Sequence, residues 1–468
     1  MSSTLRQTLQ SYGQTEVLRF WDELDDAGRS KLSEQLSAVD LEQLATLIDA
    51  RDEQIDFAAM AERAESPPHV RADGSGTGWS IDEARQAGRE ALTAGRVAAV
   101  IVAGGQGTRL GFDKPKGMYP IGPVSGRTLF EIFADNLRAI AHRHQTTIPW
   151  YVMVSDATDE QTRDYFESKD YFGLGRDNVR IFKQGTMPAV GHDGKLLLSD
   201  KDALALSPDG HGGTPAALER NGVLDDCDRR GVDILSYIQV DNPLANVCDP
   251  VLIGHHRLAR SEMTTQVVRK RYPKERVGNV VAVDGNVTII EYSDLPDSAA
   301  EATNSQGELK LWAGNIAVHV IDVNFLRRMN ADKNALPFHR ANKKVPHLDH
   351  DGKRIEPDTP NATKFEKFIF DLLPQAANAF VVESSPAESF APVKNADGAE
   401  TDTPLLAKTA LADLHRRWLI DAGVDVADDA TVEIHPSVAM SSNDLVNVAD
   451  KLGPITGDRY IEPPIGNR

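Results

Sequence analysis

Cysteine is nearly absent, with Cys227 and Cys248 the only two in 468 residues. Two such thiols build neither a disulfide framework nor a metal cluster, and they suit a reducing cytoplasm. No apolar run approaches the length of a membrane span, and residues 1–30 lack the apolar core of a signal peptide. Positive charge is in deficit: 51 Lys and Arg against 70 Asp and Glu leave a net charge of −19. Such a surface repels nucleic acid and anionic membrane, so neither is expected as a partner. Familiar catalytic signatures are missing too. There is no G-x-S-x-G elbow, no H-E-x-x-H and no Cys–His spacing suited to a metal. Repeats and low-complexity tracts are absent. What remains is ordinary soluble composition, 41% apolar and 26% charged, in a chain long enough for two or three domains.

The most informative stretch is AAVIVAGGQGTRLGFDKPKG, residues 98–117. The apolar run Val97–Val102 breaks into Gly104-Gly105-Gln106-Gly107-Thr108-Arg109, and Lys114 and Lys116 follow at once. Glycines let backbone pass close to a ligand and take positive φ without strain. Their N–H groups can cradle phosphate oxygens while Arg and Lys add mobile positive charge. The segment therefore reads as a strand ending in a phosphate-binding loop. A dinucleotide fingerprint would need glycine where Leu110 stands, and no G-x-x-x-x-G-K-[ST] occurs, so both better-known glycine loops are excluded. In so acidic a chain the loop must work by local positive charge.

Three regions are expected. Residues 1–95 form an N-terminal helical region: 3–64 read as helical from the three-and-four spacing of Leu5, Leu9, Val17, Phe20, Leu32, Leu36, Leu41 and Leu44, and Ser66-Pro67-Pro68 with Gly74–Gly78 marks a loop. Ser80 with Glu83 is a capping box opening a helix that Gly95 ends. Residues 96–385 alternate apolar strands with helical stretches, which implies a mostly parallel sheet covered by helices. Thr128 and Glu131 make a second capping box, 150–154, 179–182 and 234–240 read as strands, and 280–283 with 287–290 read as a hairpin around Asp284-Gly285-Asn286. Residues 386–468 form a smaller C-terminal part, β-rich past 425.

Other segments resemble ligand loops more than scaffold. Ser207-Pro208-Asp209-Gly210-His211-Gly212-Gly213 is a second glycine-rich loop, although read alone it is equally a surface turn. Asp241 follows a buried strand, where open α/β sheets bind ligands, and is a hard donor suited to Mg²⁺ held with phosphate oxygens. A cap on the next turn explains that aspartate equally well. Asn315 sits beside Gly314, and Lys394 offers a late cation. Residues 365–371, FEKFIFD, read as mainly helical with core aromatics, and His255-His256 as a solvated helix face.

Taken in order, these segments resemble the eukaryotic-type UDP-N-acetylhexosamine (UDP-N-acetylglucosamine) pyrophosphorylases of the UDP-sugar pyrophosphorylase family. The matches include AGGQGTRLGFDKPKGMY, QGTMPAVGHDGKLLL, DGHGG, VDNPL, VGNVVAVDGN, IEYSDL, AGNIAVH, KFEKFIFD and FAPVKNADG. The resemblance implies a glycosyltransferase-A-like, Rossmann-like α/β catalytic domain with an N-terminal helical segment and a small C-terminal element. It implies a nucleotidyltransferase that joins UTP to a sugar 1-phosphate with Mg²⁺ and releases pyrophosphate, but it does not fix the oligomeric state.

By the same resemblance Gly104, Gly105, Gln184, Gly210 and His211 meet the nucleotide. Arg109, Lys116 and Lys394 neutralise the phosphates, and Asp241 carries the metal. Gly278, Glu291, Asn315, Phe368 and Phe370 meet the sugar, which lifts at least one of these aromatics out of the core reading. The resemblance departs at His211, where the hexosamine branch carries Asn and the UDP-glucose branch His. N-acetylglucosamine 1-phosphate leads as substrate, and glucose 1-phosphate or a broad sugar range is the alternative. An inactive UDP-sugar sensor would be expected to lose Arg109, Lys116, Asp241 or Lys394, and all four are present.

Overall fold

The computed structural model describes residues 3–49, 56–332, 335–446 and 448–463. The chain divides into two compact units, each assembled from three separated segments. One comprises Phe57–Lys183, Leu218–Asp332 and Leu372–Arg468, and the other Met1–Asp56, Gln184–Ala217 and Lys333–Asp371. Among the described residues no helix is long and apolar enough to cross a membrane.

The first unit is built on a nine-stranded mixed sheet. Its strands are β1 (Val97–Val102), β2 (Trp150–Val154), β3 (Val179–Lys183), β4 (Ile234–Gln239), β5 (Met263–Arg269), β6 (Asn279–Val283), β7 (Asn286–Ile290), β8 (Ala313–Asp322) and β9 (Ala379–Ser384). The order is β7-β6-β8-β4-β1-β2-β3, with β5 pairing both β8 and β9. The run β3-β2-β1-β4 is parallel throughout, and β8 closes it antiparallel against β4. Continuous burial of VAAVIV and WYVMV is what a parallel sheet covered on both faces requires.

The helix Leu129–His144 opens on the expected Thr128–Glu131 capping box and lays Leu129, Phe130, Phe133 and Leu137 into the core. There they meet Trp150, Phe166 and Phe172, whose rings lie 4.9 to 6.3 Å from their neighbours. Burying each large apolar side chain stabilises the fold by roughly 1.5–3 kcal/mol. The capping box of Ser80 and Glu83 likewise starts the helix Ile81–Thr93, and Gly95 follows it at φ +69°.

Helix Ile81–Thr93 crosses helix Pro250–Leu258 with almost no space between backbones. A Cβ on Gly88 would overlap Pro250 O, and one on Gly254 would overlap Ala84 O. This packing overturns the solvated reading of His255-His256, since both are buried. Trp79 Nε1–H donates to His255 Nδ1 at 2.9 Å, while His256 is held by Thr264 and Asp322 at 2.9 and 3.0 Å. Past residue 386 an 18-residue helix, Pro404–Asp421, leads to two short parallel strands, Val432–Ile434 and Arg459–Ile461.

The second unit packs the helices Ser3–Ser11, Asp26–Ala38 and Leu41–Asp49 onto short strands. Leu9, Val17, Phe20, Leu32, Leu36 and Leu44 share one core with Val190, Leu198, Leu348 and Phe365. Strands His339–Lys343 and Ala362–Glu366 pair antiparallel, with His339 opposite Glu366.

Candidate active site

In the sheet unit, β1 delivers the first glycine loop at its carboxyl end. Lys116 N–H donates to Gly105 O at 3.0 Å and Gly107 N–H to Lys114 O at 2.9 Å, folding 105–116 into a closed loop. Ser155 Oγ–H steadies Gly104 O at 2.8 Å. Gly107 has φ −80° and a Cβ there would lie 2.7 Å from the Phe112 ring, so its glycine identity serves close approach rather than left-handed backbone. Around Gly105 a Cβ would find nothing nearer than Lys116 Cε at 3.9 Å, which leaves that backbone open. Arg109 lies exposed on the one-turn helix Thr108–Leu110 and makes no side-chain hydrogen bond or ion pair among the described residues.

The register Val102↔Gln239 sets the ends of β1 and β4 side by side, and this brings Asp241 to the loop. Lys116 Nζ stands 3.4 Å from Asp241 Oδ2, both groups mostly shielded from water. The same turn also pins the late segment. Val393 N–H donates to Asp241 O at 2.8 Å, while buried Asn242 bonds Ser389 O and the Ala391 N–H at 2.8 and 3.0 Å. Lys394 is thereby placed next to the strand end.

Asp402, which the sequence reading did not single out, accepts the N–H groups of Lys394 and Asn395 on its backbone carbonyl at 2.7 and 3.0 Å. Its φ of +59° is unusual for a non-glycine residue. Burial pushes its carboxyl above the usual range, against the pull of Lys394 and Arg271. Among the described residues no cluster of three or more His, Cys, Asp or Glu could enclose a metal. The Asp241 carboxylate beside the glycine loop is a donor of the kind Mg²⁺ takes, an ion that keeps several waters and is held by few protein ligands.

Gly278, Glu291 and Asn315 also come together. Asn315 N–H donates to Gly278 O at 2.8 Å, and a Cβ on Gly278 would lie 2.7 Å from Glu291 Oε1. Strand β8 carries a bulge here: its pairing shifts between Val318 and Asn315, and Ala317 takes φ +55°. Asn315 Oδ1 accepts the Ala317 N–H at 3.0 Å and so holds the bulge that aims it. Beside it, buried Lys270 donates to Asn279 Oδ1 at 2.6 Å and Pro273 O at 3.1 Å, and burial brings its pKa down to about 8.

The second unit holds Gln184, Gly210, His211, Phe368 and Phe370. Gly185 O, next to Gln184, accepts the Asp209 N–H at 3.0 Å. The second glycine loop is interlocked with 366–371: Gly212 N–H donates to Lys367 O and Lys367 N–H to Asp209 O, at 2.8 and 2.7 Å. A side chain on Gly210 or Gly212 would overlap the Lys367–Phe368 backbone. FEKFIFD is therefore not mainly helical. It is strand through Glu366 and a 3₁₀ turn from Ile369, because the glycine loop takes the hydrogen bonds between them.

Phe370 is buried, as the core reading had it, while Phe368 is partly open. His211 stacks on Phe368 at 5.4 Å and 27°, and its Nδ1 accepts the Ile369 N–H at 3.2 Å, leaving Nε2 as the protonated nitrogen. Burial, helped by nearby His339, pushes the His211 pKa down to about 4.

A model of the UTP–glucose-1-phosphate uridylyltransferase family matches residues 62–455. The UDP-N-acetylhexosamine pyrophosphorylase-like protein 1 of Xenopus tropicalis is 38% identical over 93% of this chain and 88% of its own length. The UDP-N-acetylglucosamine pyrophosphorylase of Saccharomyces cerevisiae is 35% identical over 94% and 96%. The uridine diphosphate N-acetylglucosamine pyrophosphorylase from Trypanosoma brucei, solved with an inhibitor, superimposes with a TM-score of 0.82 at 26% identity, covering 99% of both chains.

Proposed function

The chain belongs to the UTP–glucose-1-phosphate uridylyltransferase family, and from that premise we propose that it makes UDP-N-acetylglucosamine and pyrophosphate from UTP and N-acetylglucosamine 1-phosphate. The observation that carries the reading is the meeting of an open glycine loop, Lys116, Asp241 and the Lys394 segment at the carboxyl ends of β1 and β4.

Backbone at Gly104 and Gly105 receives the nucleotide phosphates. Arg109, Lys116 and Lys394 neutralise charge as a sugar-phosphate oxygen attacks the α-phosphorus in line and pyrophosphate departs. A phosphate monoester is already an anionic nucleophile, so the chain needs no general base. Asp241 would hold Mg²⁺, which when bound screens the negative charge of the triphosphate. Gly278, Glu291 and Asn315 take the sugar, Gln184, Gly210 and His211 the uridine, and Phe368 and Phe370 the acetamido group. Both cysteines are buried thiols outside any disulfide, which supports a cytoplasmic setting.

The test is product analysis with UTP, Mg²⁺ and either N-acetylglucosamine 1-phosphate or glucose 1-phosphate. We expect equimolar pyrophosphate and UDP-N-acetylglucosamine from the first sugar, a rate with glucose 1-phosphate lower by at least tenfold or so, and loss of turnover with EDTA. A second reading, glucose 1-phosphate or a broad sugar range, is supported by His211, and equal rates with the two sugars would establish it. Binding of UTP with no pyrophosphate from either sugar would leave the sensor reading.

A further inference from the structure

Two residues outside the proposed sugar and nucleotide contacts are built into the aromatic group of the second unit. His339 ends on the first position of its strand, opposite Glu366, so its backbone is fixed two residues before Phe368. Its ring lies 4.4 Å from the Phe368 ring at 36°. Asp371 follows on the 3₁₀ turn, its N–H donates to Phe368 O at 3.2 Å, and its Oδ2 stands 2.8 Å from His339 Nε2. The path from His339 through the strand pair, Phe368 and Asp371 returns to His339, a closed circuit around one partly open ring. Both members are mostly shielded, at 24% and 16% exposure. A carboxylate bonded to one imidazole nitrogen fixes both the tautomer and the plane of the ring.

A phenylalanine at a ligand wall has two soft side-chain torsions, and only its neighbours choose between their settings. Here the neighbours are His211, Phe370 and His339, at 5.4, 5.0 and 4.4 Å. Of these rings, His339 makes the shortest contact and has its orientation set by a carboxylate.

We infer that His339, oriented by Asp371, is a positioning residue that sets the Phe368 ring and through it the preference for an N-acetylated sugar over a plain hexose. The inference rests on the proposed contact between Phe368 and the acetamido group. Misplacing an apolar wall removes methyl-group contact, which is worth roughly tenfold in discrimination.

Steady-state kinetics at saturating UTP with the two sugar 1-phosphates tests this on the wild type, His339→Ala and Asp371→Asn. His339→Ala is expected to lower the ratio of kcat/KM for the N-acetylated sugar over glucose 1-phosphate by about tenfold. The change should fall on the KM for the N-acetylated sugar, with kcat/KM for glucose 1-phosphate unchanged. Asp371→Asn keeps the size of the side chain and removes its charge, so a smaller loss in the same direction is expected. It also carries the test should His339→Ala fail to fold. An unchanged ratio in both soluble variants, or equal losses with both sugars, would overturn the positioning role. A wild type indifferent to the acetamido group would overturn the sugar assignment, and this inference with it.

Discussion

Arg109 and Lys394 illustrate how charge is used here one residue at a time. Arg109 is exposed and bonds no other side chain among the described residues, so nothing in the fold depends on its guanidinium. Arg109→Ala should therefore lower kcat by roughly 10²–10³-fold while leaving the melting temperature unchanged. Lys394→Ala should lower kcat by a similar factor, because its placement comes from backbone bonds to Asp402 and not from its ammonium. Unchanged turnover in either variant would remove that residue from catalysis.

His211 makes a prediction of the opposite kind, in stability. Its pKa is about 4 in the folded chain against an ordinary 6.5. Between those values the unfolded chain binds more protons than the native one, so stability falls as pH drops from about 6.5 towards 4 and is level above. Urea midpoints measured across that window should fall less steeply in His211→Asn than in the wild type, and identical slopes would contradict the neutral imidazole. At this scale the glycine loop, Asp241 and Lys394 are legible in sequence because each lies in a short contiguous motif. Asp402, Lys270 and the His339–Asp371 pair are not, since their meaning comes from neighbours dozens of residues away.

Elements show where local pattern suffices and where it does not. Both capping boxes, the strands at 97–102 and 150–154, and the hairpin at 279–290 follow directly from side-chain period and turn chemistry. The helix Pro404–Asp421 was also signalled, by Thr403 at its N-cap and proline at its first turn, yet weak amphipathicity hid it. FEKFIFD and His255-His256 misled because tertiary partners overrode the local signal: the second glycine loop in one case, a helix crossing in the other. That crossing yields the sharpest element-level prediction. Gly88→Ala or Gly254→Ala pushes a methyl group into a facing backbone carbonyl, and should destabilise by roughly 1–3 kcal/mol or more. Thermal or urea unfolding measures it, and a wild-type midpoint in either variant would show that the helices can part at no cost.

Across the whole molecule, each unit is assembled from three segments far apart in sequence. A reading along the chain sees the helices and strands of both but not which of them share a core. Helices 3–49 pack with strands near 190–206 and 339–366, while 57–63 and 81–93 group with the nine-stranded sheet. The net charge of −19 sets the same problem at this scale that the loop solves locally. In the proposed site Arg109, Lys116 and Lys394 would answer it by supplying local positive charge beside the backbone amides of the glycine loop.

The central claim is that catalysis here is positioning and charge neutralisation of two substrates, with no nucleophile from the chain. Its direct test is the stereochemical course at the α-phosphorus, using one diastereomer of UTP carrying sulfur on that phosphorus with N-acetylglucosamine 1-phosphate. A single in-line displacement predicts inversion of configuration in the UDP-sugar product. Retention would contradict the account, because it requires two displacements and a uridylylated residue between them.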